Sequence, residues 1–346
     1  MKKIKWGVIG AGGIADRRTI PGILLADNAE LVAVMDRNAV LVAELGEKYG
    51  VASYCTEEDL LNDSEIEAVY IATPVFCHKN QAELCAKAGK HILLEKPLGL
   101  TVAEGKKIID VCNQNNVKLA AGLMMRYSTY HQKMKSIIAD GKLGQIVSVR
   151  AQLTCWYPDI EGAWRQNKEL SGGGALMDMG IHCIDLLQFI TGSEVTKVSS
   201  FNGTKSFSYS VDDSSSSLLE FDNGAFGYVD ANFNIPDEAA KCRLEIYGTK
   251  GSMLAEGTVS QIDGGNLEII ISDDNMGYDA KQDRTAVDSV DVKVEFGNLY
   301  TREIESFGNS IINDNTPEVT GEQALFVQRI IEACYESQDL GKVITL

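Results

Sequence analysis

The fold is decided by Gly7-Val8-Ile9-Gly10-Ala11-Gly12-Gly13-Ile14-Ala15, which follows a short apolar run at residues 4–9 and opens a helix-compatible segment ending near Leu25. Gly10 suits the tight turn out of a strand, Gly12 lets the backbone approach a diphosphate, and Ala15 permits close packing of helix on strand. The positive N-terminus of that helix would then hold the diphosphate. In this strand-turn-helix context the pattern predicts a dinucleotide site lined by Gly10, Gly12, Gly13 and Ile14.

The second half of the signature is Leu31-Val32-Ala33-Val34-Met35-Asp36, an apolar strand that ends in an acid. Asp36 stands about 20 residues beyond the last small residue of the turn, where an adenosine ribose presents its hydroxyls. An acid there predicts NAD over NADP, although the neighbouring Arg37 can pair with a 2'-phosphate. The competing interpretation is a glycine-rich turn that binds nothing, and the two-part match disfavours it.

Composition limits the possible partners. The chain has 346 residues, more than one core usually supports, and a formal net charge of −17. Such a charge argues against nucleic acid and anionic membranes as partners. Eight scattered cysteines without a Cys-x-x-Cys pair predict reduced thiols, a cytoplasmic location and no metal site. The basic start resembles an export signal, but its apolar run breaks into glycines after Ile9 and is interpreted as a first strand.

The first third alternates strand-like and helix-like segments, which predicts a parallel sheet with helices on both faces. The strand-like segments are residues 4–9, 31–36, 68–72, 91–94 and 117–121, and the helix-like ones are 40–49, 79–88 and 102–113. Ligands bind at the carboxyl ends of such strands, where Thr73-Pro74 and Glu95-Lys96-Pro97 stand. The pattern changes after Gly122, which predicts a Rossmann domain at 1–123 and a second domain at 124–346.

The second domain is predicted to be an α+β domain with a large, mainly antiparallel open sheet. Its helix-like segments are residues 128–140, 302–313 and 322–336. Its strand-like segments are residues 146–155, 195–203, 214–221, 225–235 and 242–248, with shorter strands expected within 260–294. Asp222-Asn223-Gly224 predicts a hairpin turn between two of them.

Lys96 is the first candidate catalytic residue. A lysine at the end of a Rossmann strand points toward the nicotinamide end of the crevice, where it could donate or accept a proton on a substrate oxygen. The alternative is an ordinary surface lysine at a strand end, and spacing alone leaves the two interpretations open.

A second candidate group is the run Gly172-Gly173-Gly174 followed by Asp178, His182 and Asp185. The three polar residues stand at i, i+4 and i+7, which predicts one helix face with an imidazole between carboxylates. This arrangement suits proton transfer, whereas a lone histidine makes a metal site improbable. A capped helix with a buried structural histidine is the alternative.

Aromatic residues and arginines mark a third region. Trp156 and Tyr157 precede Trp164 and Arg165, and amphipathic rings beside an arginine suit a hydroxylated ligand such as a sugar. Arg126 and Arg165 could hold a carboxylate or phosphate of a substrate. Packing of the loop onto its own domain is the alternative.

These motifs, in this order, resemble those of the Gfo/Idh/MocA family, the relatives of glucose-fructose oxidoreductase and inositol dehydrogenase. The matching residues are the Gly10 to Ala15 turn, Ala72-Thr73-Pro74 with His78, Glu95-Lys96-Pro97, Arg126-Tyr127, Trp164-Arg165 and the run from Gly172 to Asp185. The resemblance implies cofactor contacts at Thr73, Pro74, His78, Glu95 and Lys96. It implies an active site lined by Lys96, Asp178 and His182. Many relatives carry Asn two residues before the arginine matching Arg126, where this chain has Met124.

The sequence therefore predicts an oxidoreductase that moves hydride between NAD, with NADP possible, and a secondary alcohol or ketone of a carbohydrate-like substrate. Either Lys96 or His182 could be the immediate acid/base, with His182 favoured as proton acceptor. Asp178 would orient the substrate or the imidazole. Two alternatives are an NAD-recycling glycosidase of the same fold and a non-catalytic regulator. The family resemblance implies a homodimer or homotetramer assembled through the second-domain sheet.

Overall fold

The computed structural model describes residues 2–272, 280 and 289–346. Within them the chain forms two compact units, each with its own sheet. The first unit comprises residues 1–124, 162–172 and 298–329, and the second comprises 125–161, 173–297 and 330–346.

The sheet of the first unit is fully parallel. Its strands are β1 (Ile4–Ile9), β2 (Ala29–Met35), β3 (Ala52–Tyr54), β4 (Ala68–Ile71), β5 (His91–Glu95) and β6 (Leu119–Gly122). Their order is β3-β2-β1-β4-β5-β6. The central strands β1 and β4 are almost wholly buried, as expected of a parallel sheet covered on both faces.

Helices connect these strands in the predicted alternation. After the glycine turn a π-helical turn (Ala15–Thr19) leads into α1 (Ile20–Leu25), and the further helices are α2 (Ala39–Tyr49), α3 (Glu57–Leu61), α4 (Val75–Lys87) and α5 (Val102–Gln114). The side chains of Asn38, Thr56 and Thr101 cap the starts of α2, α3 and α5 by accepting backbone N–H bonds.

The sequence patterns did not indicate β3 and α3. β3 has three residues, none of them buried, and α3 has only five. Elements this short carry too little hydrophobic periodicity to stand out from a loop.

The second unit contains a nine-stranded, mostly antiparallel sheet, so the predicted fold class is confirmed. Its strands are β7 (Ile146–Thr154), β8 (Val195–Gly203), β9 (Ser214–Phe221), β10 (Phe226–Asn232), β11 (Arg243–Gly248), β12 (Gly251–Glu256), β13 (Asn266–Ile271), β14 (Val290–Asp291) and β15 (Ile344–Thr345). Their order is β14-β13-β12-β11-β7-β10-β9-β8-β15, and among the described strands of this second sheet only the β7–β10 pair is parallel. Asp222-Asn223-Gly224 forms the predicted hairpin, with Gly224 at φ +84°. The short strands expected within 260–294 include β13 and β14, whereas residues 273–279 and 281–288 lie outside the described residues.

The remaining helices are α6 (Thr129–Ala139), α7 (Lys168–Ser171), α8 (Ile181–Thr191), α9 (Leu299–Ile312) and α10 (Gly321–Leu340). Among the described residues, no helix is long and apolar enough to cross a membrane.

Part of the chain after residue 124 belongs to the first unit. Ile304 and Phe307 of α9 join the core around Trp6, with the Trp6 and Phe307 ring centroids 5.9 Å apart. The backbone N–H of Ala121 donates to the carbonyl of Val319 at 3.2 Å. The sequence patterns predicted that every residue beyond 123 belongs to the second domain. They carry no local signal that residues 298–329 pack in the core formed by the start of the chain.

Candidate active site

The glycine turn of the first unit has the geometry that its residues predict. Gly10 lies at φ +79°, and a Cβ there would be 2.7 Å from Thr73 Cγ2 and 2.9 Å from the Thr73 nitrogen. A side chain is therefore excluded by both backbone conformation and space. The N–H groups of Gly10 and Ala11 donate to the carbonyl of Met35 at 2.9 and 3.1 Å, which ties the turn to the end of β2.

Asp36 lies beside this turn. Its Oδ2 is 3.8 Å from the position that a Cβ of Gly12 would occupy, and its Oδ1 accepts the N–H of Asn38 at 3.0 Å. Gly13, at φ +56°, faces open space, while Ala15 is fully buried. The structure thus brings together the open turn and the acid that the dinucleotide hypothesis requires.

Arg37 and Thr73 are linked through two side chains that the sequence did not single out. Arg37 Nη2 is 3.3 Å from Glu57 Oε1, and Gln81 Nε2 donates to the same Glu57 oxygen at 2.8 Å. Thr73 Oγ1 in turn donates to Gln81 Oε1 at 2.5 Å. Pro74 is the last residue before α4, the helix that carries Gln81.

His78 joins two loops at the carboxyl edge of the sheet. Its ring nitrogens lie 2.9 Å from the carbonyl oxygens of Thr73 and Pro97, and the ring is buried. Burial lowers the pKa of His78 to about 4, against the opposing effect of the carbonyl contacts. Through these contacts His78 connects the loop at Thr73 with the loop at Pro97. Its contact with the cofactor stays a prediction.

Glu95 and Lys96 lie at the end of β5. Glu95 Oε1 accepts a hydrogen bond from the Tyr70 hydroxyl at 2.5 Å, and Glu95 Oε2 accepts one from the backbone N–H of Lys96 at 3.3 Å. Burial raises the pKa of Glu95, partly offset by the Tyr70 hydrogen bond and the charge of Lys96. Opposite in β6, a Cβ on Gly122 would be 3.2 Å from the Glu95 carboxyl carbon. The carboxylate is therefore held in place beside the Lys96 backbone, and the Lys96–Pro97 peptide is cis.

Trp164 and Arg165 belong to the first unit. The Arg165 guanidinium carbon lies 4.3 Å from the Trp164 ring centroid, a cation–π distance. Arg165 is also among the charges that lower the pKa of Glu95, which places it on the Glu95 side of this unit. The single aromatic loop expected from the sequence is therefore divided between the units at residues 161 and 162.

Trp156 and Tyr157 join an aromatic cluster in the second unit. The Trp156 ring meets Phe207 edge to face at 5.3 Å, and the Tyr157 ring centroid is 5.2 Å from that of Phe233. Tyr157 also packs in a cluster with Met179, the neighbour of Asp178. Trp156 is nearly half exposed, so the cluster presents aromatic surface beside the turn that carries Asp178.

Asp178 and His182 occur where a π-helical turn (Leu176–Gly180) passes into α8. The turn is one residue wider than an α-helical turn, so the i, i+4, i+7 phase predicted from a regular helix does not apply unchanged. Asp178 is half-buried and His182 is buried.

The start of this helix is held by Asp212, which the sequence analysis missed. The Asp212 carboxylate accepts the N–H groups of Gly174 and Leu176 at 2.9 and 2.8 Å, and the Tyr335 hydroxyl at 2.7 Å. A Cβ on Gly174 would fall on the Asp212 carbonyl group, with the Asp212 carbonyl carbon 2.8 Å away. The glycine at position 174 therefore serves close backbone packing. Nothing local marks Asp212, since its partners stand 36 and more residues away.

Arg126 and Asp185 form a buried ion pair in the second unit. Arg126 Nε lies 3.1 and 3.0 Å from the two carboxylate oxygens, and Nη2 is 2.5 Å from Oδ1. The side chains are 7% and 1% exposed. The Asp185 carboxylate is thereby bound by Arg126, and Arg126 has a structural partner that the substrate-binding hypothesis did not include.

The predicted site residues thus fall into two sets. Lys96, Arg165 and the dinucleotide residues lie in the first unit, and Asp178 and His182 lie in the second. Their meeting at one substrate stays a prediction.

Comparisons with known proteins match both units. Residues 4–123 match the family described as oxidoreductase family, NAD-binding Rossmann fold, and residues 131–254 match the GFO/IDH/MocA C-terminal domain. Oxidoreductase P35 of Formosa agariphila is 32% identical over 257 residues, covering 72% of this chain and 78% of that protein. The 1,5-anhydro-D-fructose reductase of Ensifer adhaerens is 25% identical over 324 residues, covering 93% and 92%. The WlbA dehydrogenase from Bordetella pertussis, crystallised with NADH and UDP-GlcNAcA, has a TM-score of 0.82 at 25% identity over 100% of this chain and 99% of that one.

Proposed function

We propose, from the premise that this chain belongs to the GFO/IDH/MocA family of NAD(P)-dependent oxidoreductases, that it acts on a secondary alcohol or ketone of a sugar, polyol or related carbohydrate derivative. The observation that carries the proposal is the open glycine turn with Asp36 beside it. The turn excludes side chains at Gly10, and Asp36 follows β2 beside that turn, where an acid would accept hydrogen bonds from the ribose of a dinucleotide.

The residues present fit a nicotinamide dinucleotide. Gly10, Gly12, Gly13 and Ile14 would hold the diphosphate, and Asp36 would accept hydrogen bonds from the adenosine ribose. The bound cofactor supplies the hydride acceptor or donor, and the protein supplies binding and orientation. Thr73, Pro74 and Glu95 belong to the same carboxyl edge of the sheet, where the nicotinamide end would bind.

Proton transfer falls to the remaining predicted residues. As an alcohol is oxidised its hydroxyl proton must leave, and a histidine in hydrogen-bond reach is suited to accept it. We assign that role to His182, with the Lys96 ammonium hydrogen-bonded to the reacting oxygen and Asp178 orienting substrate or imidazole. Asp212 holds the backbone that carries Asp178 and would keep it in position.

Carbohydrate chemistry is supported from two directions. The relative from Ensifer adhaerens is a 1,5-anhydro-D-fructose reductase. The aromatic cluster around Trp156 and Tyr157 offers flat apolar surface of the kind that stacks on sugar rings. Trp164 and Arg165 are proposed as further substrate contacts. For Arg126, substrate binding is kept as the alternative to a purely structural role in the pair with Asp185.

We also propose assembly through the open face of the nine-stranded sheet, as a homodimer or homotetramer. Leu218, Phe226 and Tyr228 are exposed there beside Arg150, and opposite copies of this face would cover them. The cytoplasmic location expected from the cysteines stays a prediction.

The experiment is a screen of sugars and polyols with NAD and with NADP, following absorbance of the reduced nicotinamide. We expect stoichiometric reduction of the cofactor with at least one secondary alcohol. Sugar cleavage without net reduced cofactor would identify a recycling glycosidase instead. Tight dinucleotide binding without turnover on any substrate class would support the non-catalytic alternative.

A further inference from the structure

The contacts from Arg37 to Thr73 cross the edge of the first unit at which the dinucleotide would bind. Arg37 follows β2 and Asp36, and Thr73 follows β4 and packs against the glycine turn. Between them stand Glu57, at the start of α3, and Gln81, on α4. Arg37 and Gln81 thus both contact the Glu57 carboxylate, and Thr73 is connected to it through Gln81.

The two members of the ion pair differ in solvent exposure. The Glu57 side chain is 11% exposed and is also bound by Gln81, whereas the Arg37 side chain is 74% exposed. Burial alone would raise the pKa of Glu57, but the hydrogen bonds from Gln81 and from its own backbone N–H, with the charge of Arg37, hold that pKa below its usual value. Glu57 is therefore a fixed negative charge at neutral pH, and Arg37 is the partner that could move.

Recognition of NADP needs a cation at the 2'-phosphate. Arg37 is the cation adjacent to Asp36, and a guanidinium can bind a phosphate through two parallel hydrogen bonds. Arg37 Nη2 already contacts the buried Glu57 carboxylate, so a phosphate must compete with Glu57 for that end of the guanidinium. The same carboxylate also repels a phosphate that approaches the arginine.

We propose that Glu57 is a specificity-determining residue that keeps Arg37 from a 2'-phosphate and so favours NAD over NADP, with Gln81 and Thr73 holding Glu57 in position. The inference rests on the proposed dinucleotide-dependent function. It extends that function, because the discrimination comes from a residue outside both the glycine turn and the end of β2.

The test is calorimetric titration of NAD and NADP into the full-length protein and its Glu57→Gln variant. Glutamine keeps the size and the contact with Gln81 but removes the charge. Because the arginine side of the pair is exposed, we expect NADP to bind about three- to fivefold more tightly while NAD binding changes less than about twofold. Glu58→Gln is the matched control, since Glu58 is an exposed acid in the same helical turn. It should leave the ratio of the two dissociation constants unchanged.

A second variant tests the inference without altering Glu57. Arg37→Met should change NADP affinity less than about twofold in the wild-type background and should remove the gain in the Glu57→Gln background. An unchanged ratio in a folded Glu57→Gln protein that binds NAD would overturn the inference alone. So would a fivefold loss of NADP affinity in Arg37→Met. If the wild-type protein bound neither dinucleotide, the proposed function itself would be refuted.

Discussion

Replacing Asp185 with asparagine should strongly destabilise the second unit. In the Arg126–Asp185 pair, Nε faces both carboxylate oxygens at 3.1 and 3.0 Å. Asparagine keeps one acceptor oxygen but turns an amide donor toward the guanidinium, and it removes the negative charge that faces the buried arginine. Breaking a buried pair on one side costs about 3–5 kcal/mol, a large part of a typical free energy of unfolding.

Thermal unfolding followed by circular dichroism measures this loss. For a unit of this size each kcal/mol lowers the midpoint by 2–4 °C, so Asp185→Asn should lower it by roughly 6 to 20 °C. The control is Asp339→Asn, the same change at an exposed position near the end of α10, and its midpoint should move by no more than about 2 °C.

Replacing both partners with apolar residues tests whether the loss of stability comes from the buried charge that remains when only one partner is removed. Arg126→Met combined with Asp185→Leu should recover much of the lost stability, since it removes both buried charges. A midpoint in Asp185→Asn equal to that of the control would refute this reasoning. An unchanged midpoint combined with a raised Michaelis constant in Asp185→Asn would support the substrate-binding role that the sequence predicts for Arg126.

Three further results are expected. Lys96→Ala and His182→Ala should each lower turnover roughly 100-fold while titrated NAD affinity stays nearly intact, and near-normal turnover in both would remove the proton-transfer assignment. Burial lowers the pKa of His78 and of His131 to about 4, so protonation favours the unfolded chain as pH falls from about 6.5 to 4. Each histidine should then cost about 3 kcal/mol of stability across that window, and denaturant midpoints measured against pH that stay flat would contradict this. Phe226→Glu should lower the mass measured by light scattering, whereas an unchanged assembly would exclude this sheet face as the interface.

The first unit could be predicted because its signals are local. The turn at Gly10 and Gly12, the acid at Asp36 and the alternating apolar strands each lie within one stretch of sequence. The antiparallel strands of the second unit were also recognisable, since alternation and a turn such as Asp222-Asn223-Gly224 mark them.

The missed site contacts depend on residues that are distant in sequence. Glu57 meets Arg37 and Gln81 across 20 and 24 residues, and Asp212 meets Gly174 across 38. Asp185 is 59 residues from its partner Arg126. Its spacing from His182 therefore suggested a role beside that histidine, because nothing local indicates the pairing with Arg126. A charged side chain looks the same in sequence whether it binds substrate or a buried partner, and only the fold decides.

The return of residues 298–329 to the first unit has a consequence for synthesis. Phe307 completes the core around Trp6, and the Gln328 side chain donates to the carbonyl of Gly99 at 2.8 Å. A ribosome that has released only residues 1–123 has exposed a nucleotide-binding sheet whose core still lacks these side chains. The dinucleotide domain therefore closes only after residues 298–329 have emerged, when strands β7 to β14 of the second sheet have already left the ribosome. For the same reason a contiguous cassette that ends at residue 123 would lack part of the core of this unit.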